Sequence, residues 1–513
     1  MSVTLTNGVG GQILGARDAV RAGTITIENL GLIQGSLTTA NADGIDIRGN
    51  NATGTIINRA GGVIEGNARG IVGAGGNSYT GGGTTFATAG GGTAYQSTVR
   101  HLFITNDAGG IIRSVVSNAI ATPSGVTILN GGMIQSQGSA AISVIGGADP
   151  LSVSNPDTIY ASNITILSTG SVLAAPTFSA ITLQGFGNPD DIITLHAGAT
   201  IGGAIDMGGG TGDVLNLTGS GIGSFSDDIR GTETINVQSA AWMLSDNLNG
   251  VAATNIAAGA VLQLNLTSLG MNDYAGGSIV NNGELSFVGD AVNVFGAGKT
   301  LTGTGNFTIT GSGSVTFTSS NANNYTGQTN VFGGTLIAGA DNALSTQSAI
   351  LLAFGGSLDL AGFNQTLASL DGAGAVTLGA ATLTLNTAAA SSFAGGIAGA
   401  LPVLYYLITD PSRFLAHVVA FHTGPHVDYW TNHAAGEEEA AMALGAKVKL
   451  AYEMWLGGTN LAIVLMIALW IWQNFPQPVR LRLAGQGRRH VQAGRASARQ
   501  EVQRRGRRSS SGS

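Results

Sequence analysis

A chain of 513 residues with 81 glycines, 10 prolines, no cysteine and only 10 % charged residues is neither a collagen nor a disulfide framework or cysteine-type zinc protein. Its 43 % apolar content is too high for a disordered chain, and glycine at that frequency among isolated Ile, Val and Leu points to many short strands and tight turns. Charge is divided: residues 1–400 carry nine Lys/Arg against 22 Asp/Glu, whereas the stretch from Arg480 carries ten Arg and one acid, Glu501. An acidic body and a basic tail read as separate objects.

From the N-terminus, one unit recurs. A short β-type stretch, such as Thr24-Ile25-Thr26-Ile27 or Gly54-Thr55-Ile56-Ile57, leads to an Asn, then to a glycine followed by two apolar residues and a polar one. The copies are Gly31-Leu32-Ile33-Gln34, Gly62-Val63-Ile64-Glu65, Gly110-Ile111-Ile112-Arg113 and Gly132-Met133-Ile134-Gln135, preceded by Asn29, Asn58, Asn106 and Asn130. Weaker copies follow at Gly170-Ser171-Val172-Leu173 and Gly198-Ala199-Thr200-Ile201. Repeats of this length are solenoid units. One unit cannot bury its own inward face, but stacked coils cover one another. Asn and Gly tolerate the left-handed backbone of sharp corners, and Asn at equivalent corners can stack into a hydrogen-bonded ladder. The expected fold of residues 1–400 is an all-β, right-handed parallel β-helix. At roughly 20 residues and about 4.8 Å per coil it has about 20 coils and a length on the order of 95 Å. A β-sandwich or jelly roll is the alternative for so many short strands, and the repetition along the whole stretch argues against it.

Near the end of the body stands Asn324-Tyr325-Thr326-Gly327-Gln328-Thr329-Asn330-Val331-Phe332-Gly333-Gly334-Thr335-Leu336. It resembles the autotransporter-associated β-strand repeat, which reads roughly N-x-Y-x-G-x-T-x-V-x-x-G-T-L. Gly311 to Phe317 upstream, and Gly339 to Leu344 and Gly355 to Leu360 downstream, resemble the neighbouring coils. The resemblance covers about 100 residues directly. It implies the passenger region of a bacterial autotransporter: an exported, non-enzymatic rod at the cell surface or outer membrane, serving adhesion or scaffolding. The implied partners are the bacterial membrane and surface ligands on host or neighbouring cells, with no nucleic acid, small-molecule substrate or cofactor. The lack of cysteine permits export. Met1 to Thr4 shows no signal-peptide pattern, and the sequence after residue 400 has no pattern for a closing β-barrel, so truncation at both ends is the expectation.

Composition changes abruptly near Ala400, after which come four of the five Trp and the histidines His417, His422, His426 and His433. Met454 to Trp472 is charge-free over the length of a membrane helix, with Trp455, Trp470 and Trp472 at its ends as interfacial anchors. The expected division is a loop or helical extracytoplasmic segment over 401–453, a transmembrane helix over 454–472 and a disordered Arg-rich tail over 473–513. The arginines place that tail in the cytoplasm, which conflicts with an outer-membrane passenger and suggests a fused or misassembled reading frame. Asp410 to Phe414 and His422-Thr423-Gly424-Pro425-His426 resemble part of the polytopic, lipid-carrier-dependent membrane glycosyltransferases.

Few constellations carry chemistry. The four histidines, with Asp428 and Glu437 to Glu439, include zinc-type ligands but no H-E-x-x-H pair, and Gly424-Pro425 breaks any helix between His422 and His426. Gly296-Ala297-Gly298-Lys299-Thr300 resembles a phosphate-binding loop, but Asn293 stands where the first glycine is required. Gly208 to Leu215 resembles the calcium-binding nonapeptide of secreted β-rolls. It is one residue short between Gly212 and Asp213 and occurs once, whereas that site needs stacked copies. Asp190-Asp191 and Asp227-Asp228 are adjacent pairs, and neighbours in a strand point to opposite faces. Lys299 is the only lysine before residue 400. These residues support no catalytic, cofactor or metal site; a β-helix carbohydrate-active enzyme is the alternative, and a shallow groove lined by carboxylates would favour it.

Overall fold

The computed structural model describes residues 2–399, apart from 49–52, 75–100, 123–124, 146–160, 185–189, 246–247, 249, 266–276, 297, 321 and 387–390. Two compact units divide at Leu401, Met1–Leu401 and Pro402–Ser513. The extracytoplasmic segment, the membrane helix over 454–472 and the arginine tail all lie outside the described residues, as do His417, His422, His426 and His433. Among the described residues no helix is long and apolar enough to cross a membrane.

The first unit is an all-β parallel β-solenoid of about 15 turns. Its strands are short because apolar and polar residues alternate over only a few positions before a glycine corner. In Thr24–Asn29 the side chains of Ile25, Ile27 and Asn29 are buried while Thr26 is exposed. The next strand of the coil, Leu32–Gln34, buries Ile33, and the third, Asp43–Arg48, buries Ile45 and Ile47. Three faces thus send isoleucines to one axis. Burying each such side chain contributes about 1.5–3 kcal/mol, but only once coils above and below cover it.

Stacking is in register and parallel. A 12-stranded sheet runs from Ser2–Asn7 to Leu301–Thr302 along one face. The second face holds seven strands ending at Thr200–Gly202, and the third holds eight ending at Ile229–Arg230. From Ile222–Phe225 a new eight-stranded sheet takes over, joined from Val292–Phe295 by a six-stranded one. One apolar core continues from Val20 to Val376. In its later part aromatic rings join the aliphatic side chains: Phe295 and Phe317 lie 4.8 Å apart by ring centroids, and Phe307 meets Tyr325 edge-on at 6.1 Å.

Coils are fewer than the sequence suggests because their lengths vary. The corner asparagines Asn7, Asn29, Asn58, Asn106 and Asn130 are separated by 22, 29, 48 and 24 residues. The register passes from one coil to the next across these unequal gaps, so extra residues add no rungs, and about 15 turns at about 4.8 Å each span about 70 Å.

The asparagines form the ladder that their spacing allows. Each Nδ2 donates to the Oδ1 of the next coil's asparagine at 2.8 Å, from Asn7 through Asn130. Each of Asn29, Asn58 and Asn106 is fully buried. The ladder stops where Ile166 occupies the position after Asn130.

Candidate functional site

Three surfaces of the solenoid are candidates, and each follows from the register. The first is the outward face of the 12-stranded sheet. There Thr26, Thr55, Phe103 and Thr127 align in successive coils, and farther along Thr194, Asn216, Asn236 and Asn255 do the same. Asn255 Nδ2 donates to Asn236 Oδ1 at 2.9 Å, and Asn236 Nδ2 donates to Asn216 Oδ1 at 3.0 Å. Alternation in a strand makes this face polar whenever the other is the core. The result is a largely polar face of hydroxyls and amides that also carries Glu28, ion-paired with Arg59, and the exposed apolar side chains of Phe103, Leu129, Ile192 and Val280.

The second is a charged cluster across the first coils. The carboxylate oxygens of Asp18, Asp43 and Asp46 lie within 4.8 Å of one another. Arginines neutralise them. Arg69 grips Asp43 through two nitrogens at 2.8 and 3.2 Å, and Arg48 Nε donates to Asp46 Oδ2 at 2.6 Å. Arg21 bridges Asp46 and Asp18, and Asp18 Oδ1 accepts the N–H of Asp43 at 3.0 Å. Burial pushes the Asp43 carboxyl up to about 6 even with Arg69 beside it. Three guanidinium groups already occupy this carboxylate set, so it suits an ion-pair clamp between coils and not a divalent cation.

The third is a corner where coils return to the 12-stranded sheet. Asp191 Oδ1 accepts the N–H of Ser162, Asp213 Oδ1 accepts the N–H of Asp191 at 2.6 Å, and Glu233 Oε2 accepts the N–H of Asp213 at 2.8 Å. One carboxylate per coil therefore caps the backbone of the coil before it. Asp191 and Asp213 are buried. Burial pushes Asp191 up to about 7; the hydrogen bond from Ser162 opposes this, and the nearby Asp213 and Asp190 add to it. Burial likewise raises Asp213 to about 6; the backbone hydrogen bonds from Asp191 and Gly210 oppose this, and the nearby Glu233 and Asp190 add to it.

Asp190 is exposed and Asp191 buried, but neither lies in a strand, since Ile192–His196 begins after them. Asp227 and Asp228 are also outside a strand and are both exposed, so the opposite-faces argument does not apply to them. Asp227 accepts the N–H of Gly203 at 3.1 Å and Asp228 pairs with Arg230. Asn293 sits buried in the strand Val292–Phe295 and donates to the Ala291 carbonyl at 3.2 Å. The Gly296–Thr300 segment precedes another strand, Leu301–Thr302, rather than a helix. The stack of Asp191, Asp213 and Glu233 was missed by sequence reasoning. Its signal was an acid immediately ahead of three consecutive strands of one sheet.

The motif around Tyr325 is structural. Tyr325 is fully buried with its hydroxyl 2.7 Å from Thr329 Oγ1, which lies 2.8 Å from Ser348 Oγ of the next coil. Val331 and Leu336 fill the core. Gly334 turns at φ +62°, and a Cβ on Gly327 would stand 2.0 Å from the Gly305 carbonyl oxygen.

With this geometry in view, the chain resembles the adhesin BmaC autotransporter of Brucella suis biovar 1 (strain 1330), at 30 % identity over 233 residues. The match covers 38 % of this chain and 7 % of that protein. No protein-family model matches the chain, and no solved structure matches it. The sequence is thus homologous over part of its length to an autotransporter adhesin, and its parallel solenoid fits that relationship.

Proposed function

We propose that the solenoid is a surface-exposed autotransporter passenger whose work is adhesion or scaffolding rather than catalysis, and that the segment around Tyr325 is one autotransporter-associated β-strand repeat within it. The observation that supports this most is the partial homology to an autotransporter adhesin in a chain whose described part is a parallel solenoid. The long, largely polar face of aligned Thr and Asn suits a surface that docks ligands through many weak polar contacts. The segment beyond residue 401 is, on this reading, a separate module with one membrane helix over 454–472 and a cytoplasmic tail. Its composition shift and its separation as a compact unit support that division.

The test is to produce the full chain in the bacterium that carries it and to treat intact cells with protease. Loss of rod epitopes from intact cells, together with saturable binding of the purified chain to cell monolayers, is expected. Protease resistance until the cells are lysed, or product release from acidic polysaccharides that is lost in an Asp190→Asn or Asp227→Asn variant, would contradict the reading.

A further inference from the structure

Two successive coils carry the same exposed ring at one corner. Val331-Phe332-Gly333-Gly334-Thr335-Leu336 is followed by Ala353-Phe354-Gly355-Gly356-Ser357-Leu358, and the strands that leave the corner stack with Thr335 on Ser357 and Leu336 on Leu358. Phe332 and Phe354 thus stand three residues ahead of paired positions. Phe332 is 48 % exposed and Phe354 92 %. Counted back in the same way, the coil before holds Gly311 and the coil after holds Gly372, so the corner forms without a ring. The glycines that follow are required by the fold: Gly334 turns at φ +62°, and a Cβ on Gly356 would stand 2.1 Å from the Val331 carbonyl oxygen. The phenylalanines are not. Apolar rings exposed on adjacent coils, with glycines beside them, mark a contact surface.

The main chain beside the rings is free to bond. Among the described residues nothing bonds the N–H groups of Phe354 and Gly355, or the carbonyls of Phe332, Gly333, Phe354 and Gly355. The two coils meet here: a Cβ on Gly355 would stand 3.2 Å from the Phe332 carbonyl oxygen. Charge is sparse. From 300 to 358 the only charged residue is Asp341, and its carboxylate accepts the N–H of Asn364 at 2.7 Å. Asp371, on the next coil, is engaged by Ser369 and Ser392. A ligand that matches this corner has an apolar face for the rings, donors and acceptors at its edge, and no charge.

We propose that the Phe332–Phe354 corner binds a neutral glycan, with one sugar lying on each phenylalanine. An equatorially linked pyranose carries C–H bonds on its faces and hydroxyls around its rim. The C–H face meets the electron-rich face of an aromatic ring, and the hydroxyls both donate and accept, which suits the free N–H and C=O groups. Coils about 4.8 Å apart present the two rings to neighbouring sugars of one chain. A uronate chain would bring carboxylates to a surface without a cation, on a body with nine Lys/Arg against 22 Asp/Glu. A bilayer would leave the same backbone groups unbonded in hydrocarbon. The proposal gives the adhesive reading a class of ligand and rests on that reading for its biological setting.

The experiment is calorimetric titration of the purified full chain with cellotetraose, chitotetraose and tetragalacturonate, with phosphatidylcholine vesicles as the bilayer probe. Saturable binding of cellotetraose or chitotetraose is expected, and none of tetragalacturonate. Phe354→Ala, at an exposed position, should leave the circular dichroism unchanged and weaken binding by about tenfold. Phe332→Ala should act in the same direction, and Phe354→Trp should bind at least as tightly as wild type. No saturable binding of either neutral sugar, undiminished binding in Phe354→Ala, or tighter binding of tetragalacturonate would overturn the proposal. Adsorption to the vesicles that is lost in Phe354→Ala, without sugar binding, would assign the ring to a bilayer and overturn it equally. Each of these results is independent of where the rod resides, which protease treatment of intact cells decides.

Discussion

The Nδ2 of Asn58 donates to the Oδ1 of Asn106 at 2.8 Å across a gap of 48 residues. The same Asn58 accepts from Asn29 at 2.8 Å and donates to the Gly62 and Ile111 carbonyls at 3.0 and 3.2 Å. A buried amide with every position filled is worth more in place than a surface one, because its removal strands its partners.

Asn58→Ala should therefore cost about 2–4 kcal/mol, since it removes an acceptor of Asn29 Nδ2, the Asn58 donor to Asn106 Oδ1 and the bonds to the Gly62 and Ile111 carbonyls. Asn7→Ala, at the first rung, removes one inter-asparagine bond and should cost about 1 kcal/mol. Urea midpoints for the two variants give the comparison. Equal losses would mean that the ladder is not acting as a connected network.

Gly223→Ala should destabilise by about 1–3 kcal/mol through overpacking. A Cβ there would stand 2.6–2.7 Å from the ring of Trp242, which is buried against it. Gly221, two residues earlier, has open space but φ +88°. Its alanine variant should lose only the backbone term of about 1–2 kcal/mol. Thermal melts that rank Gly221→Ala as the worse variant would contradict the packing of Trp242.

Arg69→Met leaves the carboxylate of Asp43 buried without its two guanidinium bonds, at a cost of about 3–5 kcal/mol. Combining it with Asp43→Leu should recover most of that loss, since an apolar pair of similar volume avoids burying charge. Burial already raises Asp43 to about 6 with Arg69 present. The penalty of Arg69→Met should thus be smaller at pH 5 than at pH 8, because protonation relieves the unpaired charge. A pH-independent penalty would place Asp43 in contact with solvent.

Tyr325 sets an alkaline limit. Burial pushes its hydroxyl up to about 12, whereas an unfolded tyrosine ionises near about 10. Its contribution is therefore complete below pH 10 and is lost as pH climbs through 12. Tyr325→Phe should cost about 1 kcal/mol at pH 7 through the lost hydroxyl contacts and should lose less stability than wild type between pH 9 and pH 11.5. A parallel decline of both proteins in urea titrations would refute this role.

The part of the fold legible in the sequence was the part repeated locally. Ile25, Ile27 and Ile33 announce their inward direction by alternation, and Asn29, Asn58, Asn106 and Asn130 announce their corners by standing a few residues before a glycine. Coil count was not legible, because the 48 residues from Asn58 to Asn106 span one coil just as the 22 from Asn7 to Asn29 do. The charged sites were hidden for a different reason. Asp43 meets Arg69 and Asp191 meets Asp213 through stacking at distances of 26 and 22 residues, and a hydrogen bond between coils leaves no mark on either residue's immediate neighbours.

The parallel register is the central claim, and cysteine cross-linking tests it most directly, because the chain has no cysteine of its own. Thr26 and Thr55 are partners on the outward face of adjacent coils, at the strand spacing of about 4.8 Å, within disulfide reach. A Thr26→Cys/Thr55→Cys variant of the full chain should oxidise rapidly and quantitatively to an intramolecular disulfide. A Thr26→Cys/Thr127→Cys variant, whose positions lie three coils apart through Thr55 and Phe103, should stay reduced under the same conditions. Cross-linking of the second pair in preference to the first would contradict the solenoid.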